Sequence, residues 1–355
     1  MSRMELQHEF EQGVATTRFE RAPLWQAYPQ SAQSITHSLS ADPVFDWGSL
    51  ADIIANGDRS LIEVREDTPA GRFKVRRDLP TDLRPLVAEL AGAHRWIMLR
   101  EVDRWPQFAS LVSDILAAIE PVVQLRTGPV LHPTAFLFVS SPGLVTPLHF
   151  DPEFNILFQI AGSKRFTLLP EEAGLPSQAD NERYHRCGDN LLEWSPQMAD
   201  QAMHYDLVPG AALYVPFKVP HTVRVGDVPS ISLSVTWRSR DSLMQDDAWA
   251  MNGMLARCGM RAPPPSERPW LRAGVLRALR RAPLLKDSPG NRRAAGPRTH
   301  LSLSCCLGQS PPGRKGKPPV GGAAPPCAPA PSGPERHHAR DGSVEQRLGP
   351  WTAGH

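Results

Sequence analysis

The sequence predicts an α+β protein that is mainly β. At its centre stands a compact barrel or double-sheet jelly roll, flanked by amino-terminal α/β elements and carboxy-terminal helices. Three observations carry this expectation. From about 133 to 237 the chain breaks into eight short β-type runs between Gly/Pro punctuation, a density that suits a barrel or a sandwich. Mixed helix and strand patterns precede that stretch, and two amphipathic helical patterns follow it. The composition, 41% hydrophobic and 21% charged over 355 residues, supports a core of domain size and excludes a wholly disordered chain.

The elements follow in order from local signals. Residues 1–20 read as a polar arm, without the apolar stretch of a secretory signal. DWGSLADIIANG sets Leu50, Ile53 and Ile54 at helical spacing, with a cap at Asp46 or Ser49 and a stop at Gly57. SLIEVRE and RFKVRR alternate on either side of the turn signal TPAG, which predicts a hairpin. A helix over LRPLVAELAG and a strand over RWIMLRE come next. WPQFASLVSDILAAIEPVV then places Phe108, Leu111, Val112, Ile115, Leu116 and Ile119 on one side of a long helix. The central strands are expected in TAFLFVS, LVTPLHF, NILFQIAG, KRFTLLP, MHYDLVP, AALYVP, HTVRV and SISLSVTW. Two helices close the body over 243–282. The first carries Leu243, Met244, Met251, Met254 and Leu255, the second Trp270, Leu271, Val275, Leu276 and Leu279 opposite a face of arginines.

Residues 286–355 differ from the rest. They hold 12 Pro and 11 Gly, with ten Lys/Arg against four Asp/Glu. Such a segment cannot bury enough apolar surface to offset its ordering entropy, so a disordered tail is expected. The formal net charge of +2 therefore belongs to the tail. Ahead of the tail the chain, including the folded body at 21–285, carries an acidic balance, since the first 285 residues hold 29 Lys/Arg against 33 Asp/Glu and 21–285 alone hold 27 against 29. With no helix-turn-helix pattern in view, nucleic-acid binding is not indicated. No run of about 18 apolar residues exists, which excludes a helical membrane span and points to a cytoplasmic protein. Three of the five cysteines lie in the tail; Cys187 and Cys258 are expected as small half-buried apolar residues.

The segment TPLHFDPEFNILFQIAGSKRFTLLP carries the chemistry. His149 and Asp151 are two positions apart, and on an extended strand both point to one face. An imidazole and a carboxylate can then converge on one metal, and His221, on another expected strand, can supply a third ligand. Two His and one carboxylate form the facial triad of non-haem Fe(II) oxygenases. Taken singly, the same residues also read as a surface imidazole, a turn-capping carboxylate before Pro152 and a strand-end polar residue after Pro220. Lys164 has two readings as well: a cation reaching into the barrel, or an exposed hairpin charge beside Arg165. His185 and His204 are expected at the surface, and Trp96, Trp105, Trp194 and Trp237 in the core or at the barrel rim.

The ordered block T-P-x-H-x-D-x-x-x-N, G-x-K-R, L-Y-V-P-x-x-x-P-H and S-x-S-x-T-W resembles the cupin-like, JmjC-type Fe(II)- and 2-oxoglutarate-dependent dioxygenases. The resemblance is dense over 133–237 and implies a double-stranded β-helix fold and a hydroxylase. It implies that His149, Asp151 and His221 hold Fe(II), with 2-oxoglutarate and O2 as co-substrates. It further implies that Lys164 binds the C5 carboxylate of 2-oxoglutarate, assisted by Thr146, and that Asn155 and Thr236 line the co-substrate pocket. A tyrosine common in the family on the strand before H-x-D has no counterpart, since TAFLFVS offers Phe136 and Phe138. Two other readings stay open: a metal-binding cupin-like protein without enzymatic activity, and a non-oxidative cupin enzyme. The resemblance leaves the substrate unnamed among a protein side chain, an RNA base and a small metabolite. The closing helices are expected either to join two copies in a homodimer or to cover an open side of the barrel.

Overall fold

The computed structural model describes residues 18–67, 73–265 and 269–281. The chain divides into two units, Met1–Pro311 and Pro312–His355. The second unit, the expected tail, most of the arm and the TPAG turn lie outside the described residues.

Eleven strands form two antiparallel sheets among the described residues. They are β1 (Gln33–Thr36), β2 (Ile62–Asp67), β3 (Phe73–Arg76), β4 (Arg95–Leu99), β5 (Val130–Ser140), β6 (Phe154–Ala161), β7 (Lys164–Leu168), β8 (Met203–Leu207), β9 (Ala211–Val215), β10 (His221–Val225) and β11 (Ser230–Ser239). The major sheet has the order β1-β9-β6-β11-β5-β4-β2-β3, and the minor sheet β10-β7-β8. This is a cupin-like arrangement consistent with a double-stranded β-helix, and the expected barrel is not closed. The helices are α1 (Ala22–Ala27), α2 (Trp47–Asn56), α3 (Arg84–Ala88), α4 (Ala109–Thr127), α5 (Gln178–Cys187), α6 (Arg240–Arg257) and α7 (Pro269–Arg281).

Strand β11 shows how the pattern builds the layers. Its residues alternate between Ile231, Leu233, Val235 and Trp237 and the small polar Ser230, Ser232, Ser234 and Thr236, and all eight are buried. The apolar set joins Leu111, Val112, Ile115 and Ile119 of α4 in the main core, where Trp237 stacks on Tyr214 and Phe154. The polar set faces the opposite side, toward the minor sheet. A period of two with both faces covered makes such a strand a wall between two interiors.

Several expectations are corrected. LVTPLHF is not a continuous strand; it makes isolated bridges through Val145 and His149, and Pro147 within it has no N–H to donate. Strand β1 and helices α1 and α5 arise from segments without a clear period. Cys187 and Cys258 are exposed. The two closing helices bury little of their apolar content. In α6 the buried residues are Ser242, Ala248, Asn252 and Gly253. In α7, Trp270, Leu271 and Val275 are at least half exposed and Leu279 is exposed too, while Ala273 and Leu276 are buried. Trp105 and Trp237 lie in the core as expected, and Trp194 is exposed.

Candidate metal centre

His149 lies in the segment before β6, and His221 opens β10. Their backbones pair reciprocally: His149 N–H donates to His221 O at 3.0 Å, and His221 N–H donates to His149 O at 2.8 Å. Residues paired in this way carry their side chains on one face, and the two ring centroids stand 4.3 Å apart. Asp151, two positions on, joins them with Oδ2 3.7 Å from His221 Nε2. One ligand atom from each of the three residues lies within 4.8 Å of the others, and all three residues are buried.

The rings are also fixed in orientation. His149 Nδ1 lies 2.8 Å from Pro147 O, and His221 Nδ1 lies 3.0 Å from Val219 O. A carbonyl can only accept, so each Nδ1 carries the proton and each Nε2 presents a lone pair, the arrangement of metal-ligating histidines. Burial and the neighbouring His149 push His221 down to about 4, so its imidazole is neutral at physiological pH. Asp151 Oδ1 is buried with no hydrogen-bond partner among the described residues. A carboxylate oxygen left so costs free energy unless a cation meets it. Two imidazoles and a carboxylate suit a borderline divalent metal such as Fe(II), so the donor set fits the ion.

A second set of charges braces this corner from behind. Lys218 has φ +61 and donates its backbone N–H to Asp151 O at 3.0 Å. Its buried ammonium lies 3.1 Å from Asp246 and 3.0 Å from Asn181 Oδ1. Burial lowers the Lys218 pKa, with Asp246 opposing. Arg238 bridges Glu153 at 2.9 Å and Asp246 at 3.1 Å. Burial alone would raise the Asp246 carboxyl, yet Lys218, His185 and Arg238 hold it far below the ordinary carboxylate range. His185, expected at the surface, is largely buried in this network, whereas His204 is exposed.

The triad opens onto a cavity between the two sheets, whose wall also includes Lys164, Thr146, Asn155 and Ser234. Alternation along β7 settles the two basic residues. Arg165 points outward and forms a two-pronged pair with Asp206 at 2.6 and 2.7 Å, so it is the hairpin charge. Lys164 points inward, 6% exposed, donates to Ser232 Oγ at 2.5 Å and lies 5.5 Å from the Phe138 ring centre. Burial lowers its pKa to about 7. Gly162, in the turn before it, has φ +66, and a Cβ there would fall 2.4 Å from Pro229 O, so glycine alone permits this turn. Thr146 Oγ1 accepts from Val223 N–H at 2.9 Å, and Asn155 Oδ1 accepts from Ser234 Oγ at 2.8 Å. Thr236 shares the cavity-side face of β11, bonds Thr134 O at 3.5 Å and is not part of the cavity wall. Two wall residues had no signal in the motif block. Arg65 of β2, fully buried, and Trp96 of β4 belong to strands remote from it in sequence.

Fold and site together give two facing antiparallel sheets with a buried His-Asp-His cluster that could hold a metal ion. Residues 86–242 match the family model described as a cupin-like domain. Over 107 residues the chain is 33% identical to the Jumonji C domain-containing protein 5 of Drosophila melanogaster, a match covering 27% of this chain. The chain thus spans about a quarter of the length of that curated relative, 25%. Among solved structures, YcfD of Escherichia coli aligns over 75% of this chain and 70% of its own, at 15% identity and a TM-score of 0.43. The same protein, described as a ribosomal oxygenase in complex with cobalt and 2-oxoglutarate, aligns over 75% and 66% at 14% identity and a TM-score of 0.40. The lyase DddQ of Ruegeria pomeroyi aligns over 30% of this chain and 39% of its own, at 23% identity and a TM-score of 0.20.

Proposed function

We propose that the protein is an Fe(II)- and 2-oxoglutarate-dependent oxygenase that hydroxylates an organic substrate. The observation that carries this reading is the convergence of His149, Asp151 and His221, with both Nε2 atoms free and a carboxylate oxygen lacking a partner, on a cavity that also buries a lysine. Fe(II) with 2-oxoglutarate and O2 supplies oxidative power that places one oxygen atom in a C–H bond and the other in succinate, with loss of CO2. The chain's own part is to bind, orient and exclude water. His149, Asp151 and His221 would hold the metal as a set of two imidazoles and one carboxylate. Lys164 offers a positive charge to the far carboxylate of 2-oxoglutarate, and Thr146 and Asn155 line the path between. The apolar wall of Leu157, Phe166 and Val223 keeps water from the reacting atoms.

A non-oxidative metal enzyme on the same scaffold has no use for a buried ammonium facing the triad, so Lys164 favours the oxygenase. Purified protein loaded anaerobically with Fe(II), then given 2-oxoglutarate and air, should form succinate slowly without added substrate. Absence of both metal binding and succinate would overturn the reading. The exposed Trp270, Leu271, Val275 and Leu279 of α7 support a homodimer through this helix, which the mass in solution tests. Two exposed cysteines outside any disulfide, Cys187 and Cys258, suit the reducing cytoplasm. No helix among the described residues is long and apolar enough to cross a membrane.

A further inference from the structure

The turn Pro216–Val219, between β9 and β10, touches two of the three triad residues at once. It is closed by Val219 N–H, which donates to Pro216 O at 3.3 Å. From this turn the Lys218 N–H reaches Asp151 O at 3.0 Å, and the Val219 carbonyl meets Nδ1 of His221 at 3.0 Å. The first bond holds the backbone of one ligand and the second holds the ring of another. Partners of this kind, outside the ligand shell, set where the ligand atoms point. The turn is therefore a common support for Asp151 and His221.

Residue 218 is the unexpected member of this turn. Its φ of +61 lies in the left-handed region, where a Cβ crowds the following carbonyl and where this position of a turn ordinarily carries Gly or Asn. A lysine keeps such a conformation only where its surroundings impose it. Here they do so through the side chain. The buried ammonium donates to Asn181 Oδ1 of α5 at 3.0 Å and pairs with Asp246 of α6 at 3.1 Å. The ring centres of Phe150, Tyr184 and Phe217 stand 5.2 to 5.9 Å from its nitrogen. Both anchors are fixed in turn. Asn181 Nδ2 donates to Pro176 O and Ser177 O at 3.2 and 3.0 Å, and Asp246 is shared with Arg238 at 3.1 Å. A stem gripped at its head by two helices leaves its own backbone little choice.

We infer that Lys218 is a positioning residue of the metal centre: its ammonium, clamped between α5 and α6, holds the 216–219 turn in the left-handed form that orients Asp151 and His221. The inference rests on the metal-binding part of the oxygenase reading and is independent of the substrate and of the reaction. It also gives α5 and α6, which contribute no ligand, a share in how tightly the metal is held.

The test follows Co(II) binding to the full chain by calorimetry and by visible absorption, which reports the geometry of the ligands, without co-substrate or turnover. Lys218→Met keeps the stem and the Cβ but loses the clamp. Lys218→Gly loses the clamp as well, yet adopts positive φ freely. Both variants lack the same ion pair, so a difference between them reports the backbone of residue 218. Lys218→Met should weaken Co(II) by about tenfold and alter its spectrum, the scale of losses from partners outside the ligand shell. Lys218→Gly should bind Co(II) at least about threefold more tightly than Lys218→Met and return the spectrum toward that of the parent. A Lys218→Met chain within about threefold of the parent would overturn the positioning role. A Lys218→Gly chain no tighter than Lys218→Met would overturn it too, since the ion pair would then act through stability alone. Asp246→Leu removes one anchor and leaves the lysine in place, which decides the matter should Lys218→Met not fold. It should weaken Co(II) by about threefold or more, and parent-like affinity would overturn the inference. Failure of the parent chain to bind Co(II) would remove the metal centre and the oxygenase reading with it, whereas a parent that binds beside unaffected variants removes the inference alone.

Discussion

Replacing Lys164 by Met should stabilise the metal-free protein while abolishing 2-oxoglutarate binding. The side chain is 6% exposed and burial lowers its pKa to about 7, against 10.5 unperturbed. A tenfold change in a protonation equilibrium corresponds to about 1.4 kcal/mol, so holding this ammonium in the fold costs at most about 5 kcal/mol. Methionine matches the length of the aliphatic stem, but Ser232 loses its donor, which subtracts about 1–2 kcal/mol from the gain. A net gain of about 3 kcal/mol remains at pH 7. The pH dependence follows from the depressed folded-state pKa. Above about pH 10.5 neither state holds the proton, and the cost vanishes. As pH falls toward 7 the unfolded chain takes up a proton that the folded chain refuses, and the cost grows. Below 7 both states hold it, and the cost stays at its full value. Urea unfolding of both proteins at pH 7 and pH 10 reads the difference directly. An advantage of the same size at both pH values, or a less stable variant at pH 7, would refute the claim that Lys164 sits desolvated and unneutralised.

Asp151→Ala should weaken Mn(II) or Co(II) binding by at least about a hundredfold, because even changes outside the ligand shell cost 10–100-fold; titration followed by calorimetry checks it. Lys218→Met leaves Asp246 short of one of its two cations at 3.1 Å in a buried network and should destabilise the protein by about 3 kcal/mol in urea unfolding. Lys218→Met and Asp246→Leu together should cost less than the sum of the two single losses, because both remove the same ion pair, a coupling that a double-mutant cycle measures. Gly162→Ala forces a Cβ against Pro229 O at positive φ and should cost about 2 kcal/mol or more, seen as a lowered melting temperature.

The central strands were legible because alternation survives burial: S-I-S-L-S-V-T-W separates its two faces by chemistry even though all of it is buried. The triad was legible because His149 and Asp151 stand two positions apart and meet His221 through a reciprocal backbone pair, and the turn at Gly162 fixes where Lys164 points. Other parts were hidden for physical reasons. E-V-R-E in β2 reads as a hairpin with one wet face, and only pairing with both β3 and β4 covers Arg65. Trp96 reads as core, since a single sequence does not reveal that it lines a cavity. Pro147 broke the strand expected over LVTPLHF, leaving the His149 bridge to do its positioning. In α7 the helical period was right, but the partner surface takes only Ala273 and Leu276, so most of the apolar stripe stays in contact with solvent.

The two-faced burial of β11 has a consequence for how this protein can change. Ile231, Leu233, Val235 and Trp237 are committed to helix packing, so substitution there is felt as lost stability. Ser232 and Ser234 carry small side chains on the cavity-side face, Ser234 in the cavity wall itself, and pair across the sheet with Phe138 and Phe136. Exchange among Ser, Ala, Gly, Cys and Thr at these two positions alters the room and the hydrogen bonding next to Lys164 and Asn155 while the opposite face stays intact. One ten-residue strand thereby separates what keeps the protein folded from what it can accept. New ligand preferences can be selected at alternate positions without first finding a compensating change in the core.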